Sequence, residues 1–439
     1  MKRVTQNRRQ FLQTTGALSA GLFVSGLPAR ASASPNEKLN LAIIGCGHKG
    51  WHNVTQLTHE NIAVLCDIDA NLLGKAAETH SQARQYRDYR DMLDKEAQHV
   101  DAVVVSTADH SHAPATIRAL DLKKPVYCEK PLTHTVAEAR AIAEKAEETG
   151  VATQMGTQIH ASDNYRRVVE LLQSKVIGEV TEVYHWCNKG WSEGRYVAWD
   201  KPIPAHVDWD LFLGPAKKRP YSPNVHPSNW RRFWDFGMGT FGDMGCHIMD
   251  LSFWGLELTH PTRVKANGPE VHPDGCPTWC QAEYDFPAIK GRPALKLYWS
   301  DGGKHHDMVA NTTDANGKPL SGWGIGVLYV GTKGMLAANY SQRQLLPGDK
   351  FADVKPPEET IPASVGHWVE WTNAIKNGTP TTCPFRYSGR LTETVLLGPV
   401  AFRTGKELQW DAASLKATNA PEASQFVHKD YRSGWEVQT

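Results

Sequence analysis

The 439-residue chain has no apolar run long enough to cross a bilayer. Its best candidate, Gly16 to Leu27, is short and rich in glycine, serine and threonine, so no stable membrane insertion is expected. Neither sign of charge prevails, with 48 Lys and Arg against 47 Asp and Glu. Internal repeats and low-complexity segments are missing, which excludes a repeat architecture. The eight cysteines (46, 66, 128, 187, 246, 276, 280 and 383) form no paired pattern, and three fall in or beside apolar strands. They read as small buried hydrophobes rather than a disulfide framework, although a C-terminal disulfide stays open for an oxidising compartment. Cys276-x-x-x-Cys280 has no second pair to complete a zinc site, and no helix-spaced histidine pair accompanies the best local histidine cluster, His305-His306. His305-His306-Asp307 is expected to be a solvated loop, and no metal is expected.

What is present begins with Asn7-Arg8-Arg9-Gln10-Phe11-Leu12, then the modest apolar run, then Ala31-Ser32-Ala33. This resembles a twin-arginine export signal with an A-x-A cleavage site, which implies export of residues 1–33 plus cargo to the periplasm. Loss of that segment leaves 43 basic and 47 acidic residues, a mildly acidic protein for which nucleic acid is an unfavourable partner. The remainder is long enough for two domains, expected at 38–156 and 157–439.

The first of these opens with Leu41-Ala42-Ile43-Ile44-Gly45-Cys46-Gly47-His48-Lys49-Gly50, an apolar strand entering Gly-x-Gly-x-x-Gly. The first glycine permits the tight turn, the second lets backbone approach a pyrophosphate, and the third lets helix pack on strand. Phosphates then sit at the helix N-terminus near Gly50, with His48 and Lys49 in the loop that holds them. A second apolar strand, Asn61 to Cys66, ends in Asp67, 22 residues after Gly45, where a carboxylate binds the adenosine ribose. Because that carboxylate repels a 2′-phosphate and Ile68 follows it, NAD is the expected cofactor.

Strands and helices then alternate: helices at 71–80, 88–94, 113–120 and 136–149, and strands at 101–106, 125–128 and 151–155. That alternation predicts a doubly wound parallel sheet. Beyond it come a helix at 163–173, a strand at 179–186, and a long segment to about 235 dense in Trp, Pro and His. A loop that long inside a domain is usually functional. Further strands are expected at 278–286, 294–300 and 326–336, the last turning through Gly331 to Gly334. Helices at 365–377 and 391–403 follow, at least one packing back on the first domain.

Cys128-Glu129-Lys130-Pro131-Leu132 ends the fifth strand, on the edge where open parallel sheets bind ligands. Together the glycine loop, Asp67, Thr107-Ala108-Asp109-His110-Ser111-His112 and Glu129-Lys130-Pro131 resemble the glucose–fructose oxidoreductase, inositol dehydrogenase and rhizopine catabolism (Gfo/Idh/MocA) family. The resemblance spans essentially the whole mature chain. It implies a Rossmann domain followed by an α+β domain with a large, open, mainly antiparallel sheet, often used for homo-oligomer formation. It places Lys130 beside the nicotinamide and the substrate hydroxyl, with Thr107, His112 and Glu129 around the cofactor. Ala108 and Asp109 replace the Pro and Asn of the family's Thr-Pro-Asn-x-x-His stretch.

In the second half, Gly242-Asp243-Met244-Gly245-Cys246-His247 places Asp243 and His247 four apart. On a helix they share a face, so the carboxylate is expected to orient the imidazole. The spacing is similar to the family's Asp-x-x-x-His, whose histidine is usually assigned as the base. Fifteen tryptophans call for explanation, since flat aromatic faces suit sugar rings; Trp230, Arg231 and Trp234, with Gln158, are the expected substrate contacts. The leading expectation is a periplasmic NAD-dependent oxidoreductase of a sugar, glycoside or cyclitol hydroxyl with tightly held cofactor. Two alternatives stay open: a redox-neutral glycosidase working by transient oxidation and elimination, and a silent sugar-binding protein.

Overall fold

A computed structural model describes residues 37–437; the segment that resembles a twin-arginine signal lies outside the described residues. The first sheet has six parallel strands in the order β3-β2-β1-β4-β5-β6. They are β1 Asn40–Ile44, β2 Asn61–Cys66, β3 Arg84–Tyr86, β4 Ala102–Val105, β5 Val126–Cys128 and β6 Thr153–Met155. Helices α1 Lys49–Gln56, α2 Ala70–Thr79, α3 Tyr89–Glu96, α4 His112–Asp121 and α5 Val136–Thr149 are interleaved with them. All four residues of β4 are buried, as helices on both faces of a parallel sheet require. Local signals set the helix ends. Thr135 and Glu138 form a reciprocal capping box at α5, and Gly150 closes that helix in the left-handed conformation.

The second sheet has nine strands, ordered β13-β12-β11-β7-β10-β9-β8-β14-β15, and only its β7 to β10 pairing is parallel. Its strands are β7 Val180–Cys187, β8 Arg263–Asn267, β9 Gln281–Phe286, β10 Leu295–Asp301, β11 Ile325–Gly331, β12 Gly334–Ala338, β13 Arg343–Leu346, β14 Leu408–Asp411 and β15 Lys416–Ala417. Helices α6 Asp163–Gln173, α7 Trp209–Leu213, α8 Gly239–Gly255, α9 Asp307–Asn311, α10 His367–Asn377 and α11 Phe385–Thr404 accompany it. The hairpin through Gly331 to Gly334 forms as its glycines indicate. Five short strands went unread in the sequence: β3, β8, β13, β14 and β15. Each is two to five residues long, too short for an alternating pattern to declare itself.

Both late helices do pack back on the first sheet. Trp371 of α10 is fully buried in the cluster of Leu41, Ile43, Leu65, Val104 and Tyr127. Helix α11 lies so close to α5 that a Cβ on Gly389 would sit 2.9 Å from the Ala143 Cβ. Alongside, Arg140 donates two 2.9 Å hydrogen bonds to Glu393, a forked pairing that fixes the angle between the helices. This joint holds the second half of the chain over the strand ends of the first.

The tryptophan-rich stretch is a small core of its own, in which Trp209, Phe212, Tyr221, Trp230, Phe233 and Phe236 pack together. It is tied to the loop after β2: Ala70 N donates to His206 O at 2.8 Å, and Asp208 N to Ile68 O at 3.0 Å. All eight cysteines are free and buried.

Candidate active site

A groove runs along the carboxyl ends of the first sheet, walled on one side by the glycine loop and on the other by the aromatic segment of the second half. Gly45 holds φ +88°, and a Cβ on Gly50 would lie 2.0 Å from the Gly45 carbonyl oxygen. Only glycine permits this close strand-to-helix turn. His48 (φ 47°) precedes the first turn of α1 and lines the groove with Gly47 and Lys49, which places the N-terminus of that helix at the groove. Lys49 Nζ stands 3.7 Å from Glu129 Oε1, and Asn53 donates to the same oxygen at 2.9 Å.

Asp67 reaches the groove and ties its loop as well. Its carboxylate accepts the N–H groups of Cys46 (2.7 Å) and Asp69 (2.9 Å). Burial nevertheless raises its pKa, the backbone donors offsetting part of that cost. Opposite it, His226 lies 2.9 Å from Asp69 through Nε2. Thr107 and His112 also line the groove. His112 sits between two carbonyl oxygens, Pro131 O at 2.8 Å from Nδ1 and Thr107 O at 3.1 Å from Nε2, so it braces the two strand-end loops. Backbone approach at the glycines, a helix N-terminus and an acid at the end of β2 together fit a dinucleotide.

At the far end of the groove lies a buried ion pair. Lys130 Nζ donates to Asp243 Oδ1 at 2.9 Å and to the Asp243 carbonyl at 2.6 Å. The second carboxylate oxygen accepts from Trp191 Nε1 at 2.7 Å; Arg231 Nε stands 3.5 Å from Oδ1 and Lys189 3.9 Å from Oδ2. Although buried, Asp243 is held well below the usual carboxylate range by Lys130 and Arg231, which outweigh its desolvation.

This corrects the expected pairing of Asp243 with His247. Both residues sit on α8, but the carboxylate turns to the cations, and His247 takes Thr157 as partner (Nδ1 to Oγ1, 3.2 Å). Burial first and Lys130 second push the His247 pKa far down, so the imidazole is neutral. Trp234 is a second correction. It is 4% exposed, donates to His272 O and lies under Arg403, so it belongs to the core and not to the groove. Trp230 does line the groove and carries Arg231 on its ring face at 4.1 Å. Gln158 lies in the short helical turn after Thr157, its Oε1 buried without a partner.

Trp191, Thr157, Asn53 and Asp109 are site residues that sequence reasoning did not assign. Trp191 lay in a segment already marked as functional; Thr157 carried no local signal. The expected solvated loop at 305–307 is corrected in part: Asp307 opens α9, and His306 caps that helix and rests on Tyr184 and Tyr298. Among the described residues, His160, Asp250 and Cys383 alone gather in a metal-like group. His160 and Tyr387 already hydrogen-bond to that carboxylate.

Comparison with known proteins agrees with this geometry. Residues 39–157 match the model of the Gfo/Idh/MocA oxidoreductase family's NAD-binding Rossmann fold, and residues 169–290 its C-terminal alpha/beta domain. The chain belongs to this family. A glycosyl hydrolase family 109 protein of Shewanella pealeana is 26% identical over 203 residues, 40% of this chain and 44% of that protein. An inositol 2-dehydrogenase of Salmonella typhimurium is 28% identical over 153 residues, 33% of this chain and 45% of the relative. The matched stretches thus span less than half the length of these curated relatives. Among solved structures, the WlbA dehydrogenase of Bordetella pertussis, in complex with NADH and UDP-GlcNAcA, shares the fold. Its TM-score is 0.61 at 16% identity, over 86% of this chain and 98% of that one.

Proposed function

We propose that this protein oxidises a hydroxyl-bearing carbon of a sugar, glycoside or cyclitol, with NAD as hydride acceptor. The observation that carries the reading is the Lys130–Asp243 pair at the end of a dinucleotide groove, on the same helix as the neutral His247. When bound, the nicotinamide supplies an acceptor for the hydride. Gly45, Gly47, His48, Lys49 and Gly50 would hold the phosphates, and Asp67 the ribose hydroxyls.

The chain's own groups handle the hydroxyl. Lys130 spends two of its three N–H bonds on Asp243 and keeps one for the substrate oxygen. His247, with Nδ1 on Thr157, would accept a hydrogen bond from the reacting hydroxyl at Nε2 and orient it. Arg231, Trp230 and Gln158 are the proposed contacts for the rest of the ring. The aromatic segment over the groove supports slow cofactor exchange, which suits a protein carried folded to a periplasm by a twin-arginine signal. Association of copies through the outward face of the nine-stranded sheet is part of the same reading.

Denaturing the purified protein and assaying the supernatant tests the cofactor: NAD should be released in near-stoichiometric amount. A panel of methyl glycosides, free sugars and inositols then tests the reaction by nicotinamide absorbance. Similarity to glycosyl hydrolase family 109 favours a second reading, net hydrolysis through transient oxidation and elimination. Product analysis separates the two, since a keto sugar marks oxidation and a released aglycone marks elimination.

A further inference from the structure

Four carboxyl groups lie in or at the edge of the groove, and three have donors. Asp67 takes two backbone N–H groups, Glu129 takes the Asn53 amide, and Asp243 takes Lys130 and Trp191. The fourth is Asp109. It lines the groove and is 3% exposed, yet among the described residues none donates a hydrogen bond to its carboxyl. Its Oδ2 would lie 3.2 Å from a Cβ on Gly242, in the first turn of α8 immediately before Asp243. The unpartnered carboxyl therefore sits beside the Lys130–Asp243 pair.

Removing a hydride from a carbinol leaves a hydroxyl proton to be taken up, and neither of the two obvious groups is suited to take it. Lys130 is already an ammonium donating to a carboxylate and a carbonyl. An imidazolium at His247 would be buried next to that ammonium. An ionised, buried carboxylate without donors is the costliest state in the groove, and one proton relieves it.

We propose that Asp109 takes up the substrate's hydroxyl proton as the hydride leaves, so that its protonation follows the redox state of the bound nicotinamide. This rests on the oxidoreductase reading. The step balances. The C–H bond breaks with both electrons going to the nicotinamide acceptor. The O–H electron pair becomes the second C–O bond, and the proton ends on a carboxylate oxygen of Asp109.

Electrostatics around Asp109 make it responsive. Burial raises its pKa most, Arg231 and Lys130 lower it, and Asp243 and Glu129 raise it, leaving it pushed up to about 7. With its midpoint pushed to near neutrality, one positive charge more or less in the groove shifts the balance between acid and carboxylate. A cationic nicotinamide favours the carboxylate and a neutral one the acid, a difference of order one pH unit at the effective dielectric of a protein site.

The test is a titration of the holoprotein, loaded with NAD⁺ in one sample and NADH in the other and labelled with [4-¹³C]aspartate. Asp109→Asn identifies the resonance, and loading is checked by nucleotide release on denaturation. The Asp109 midpoint should lie higher with NADH, by about one unit. Identical midpoints, or a carboxylate that stays ionised through neutral pH in both samples, overturn the proposal. In turnover, Asp109→Asn should keep its NAD and lose roughly 10² or more in rate, and Asp109→Glu should recover part of it with a displaced pH profile. Loss of NAD from Asp109→Asn with turnover restored by excess cofactor would overturn it in favour of a cofactor-holding role. A protein that binds no nucleotide refutes the oxidoreductase reading itself, visible before any titration begins.

Discussion

Lys130 and Asp243, 113 residues apart in the chain, are bonded twice, to carboxylate and carbonyl, whereas His247, four residues along the same helix, is bonded to Thr157. The cation therefore belongs to the aspartate and the imidazole stands separately beside them, which changes what each substitution should do.

Asp243→Asn should cost stability as well as activity. Removing one partner of a buried ion pair typically costs about 3–5 kcal/mol, because the other charge is left uncompensated. The Asp243 pKa is depressed in the folded state, so its contribution is present above about pH 4 and lost as pH falls further. Thermal melts of wild type and Asp243→Asn should differ clearly at pH 7 and converge in strong acid. Equal melting points at pH 7 would show that the pair adds nothing net.

Lys130→Ala and His247→Ala should each fold, retain NAD and lose turnover by roughly 10² to 10⁴. In the proposed reading, cofactor affinity comes from the glycine loop and Asp67 at the other end of the groove. Steady-state assays beside nucleotide-release measurements check this, and near-normal turnover in either variant removes that residue from the reacting centre.

Thr157→Val keeps the shape and deletes the partner of His247 Nδ1. Its kcat should fall by about fivefold, the worth of one hydrogen bond of roughly 1 kcal/mol, with little change in NAD content. An unchanged kcat would mean that packing alone orients the ring.

NAD should be bound more tightly than NADP in calorimetry on cofactor-stripped protein. Asp67→Ser should narrow the gap while weakening both, because it also removes the acceptor for Cys46 and Asp69 N–H. Tighter binding of NADP by wild type would refute the assignment.

Replacing Arg8 and Arg9 with lysine keeps the charge and should hold the precursor in the cytoplasm. Normal periplasmic accumulation, read by fractionation, would remove the export argument.

Much of the first sheet was legible because its signals are local. Glycines at 45, 47 and 50 report on backbone geometry within a few residues, and the capping box at Thr135 and Glu138 marks its own helix end. The limits of α5 and α6 could be read to the residue for the same reason. Five short strands escaped because their existence depends on distant partners. The tryptophans misled in part. Their clustering marked the segment over the groove, but Trp234 and most of the others are packing.

By itself the sequence determined the dinucleotide fold and the order of the longer elements of the first sheet, since turn geometry and helix periodicity are properties of neighbouring residues. The tertiary structure alone decided the partners: Lys130 for Asp243, Thr157 for His247, Trp191 beside them and, among the described residues, no donor for Asp109. A side chain chooses among groups that only folding brings within about 3 Å, and in a buried site the charges already present settle the choice.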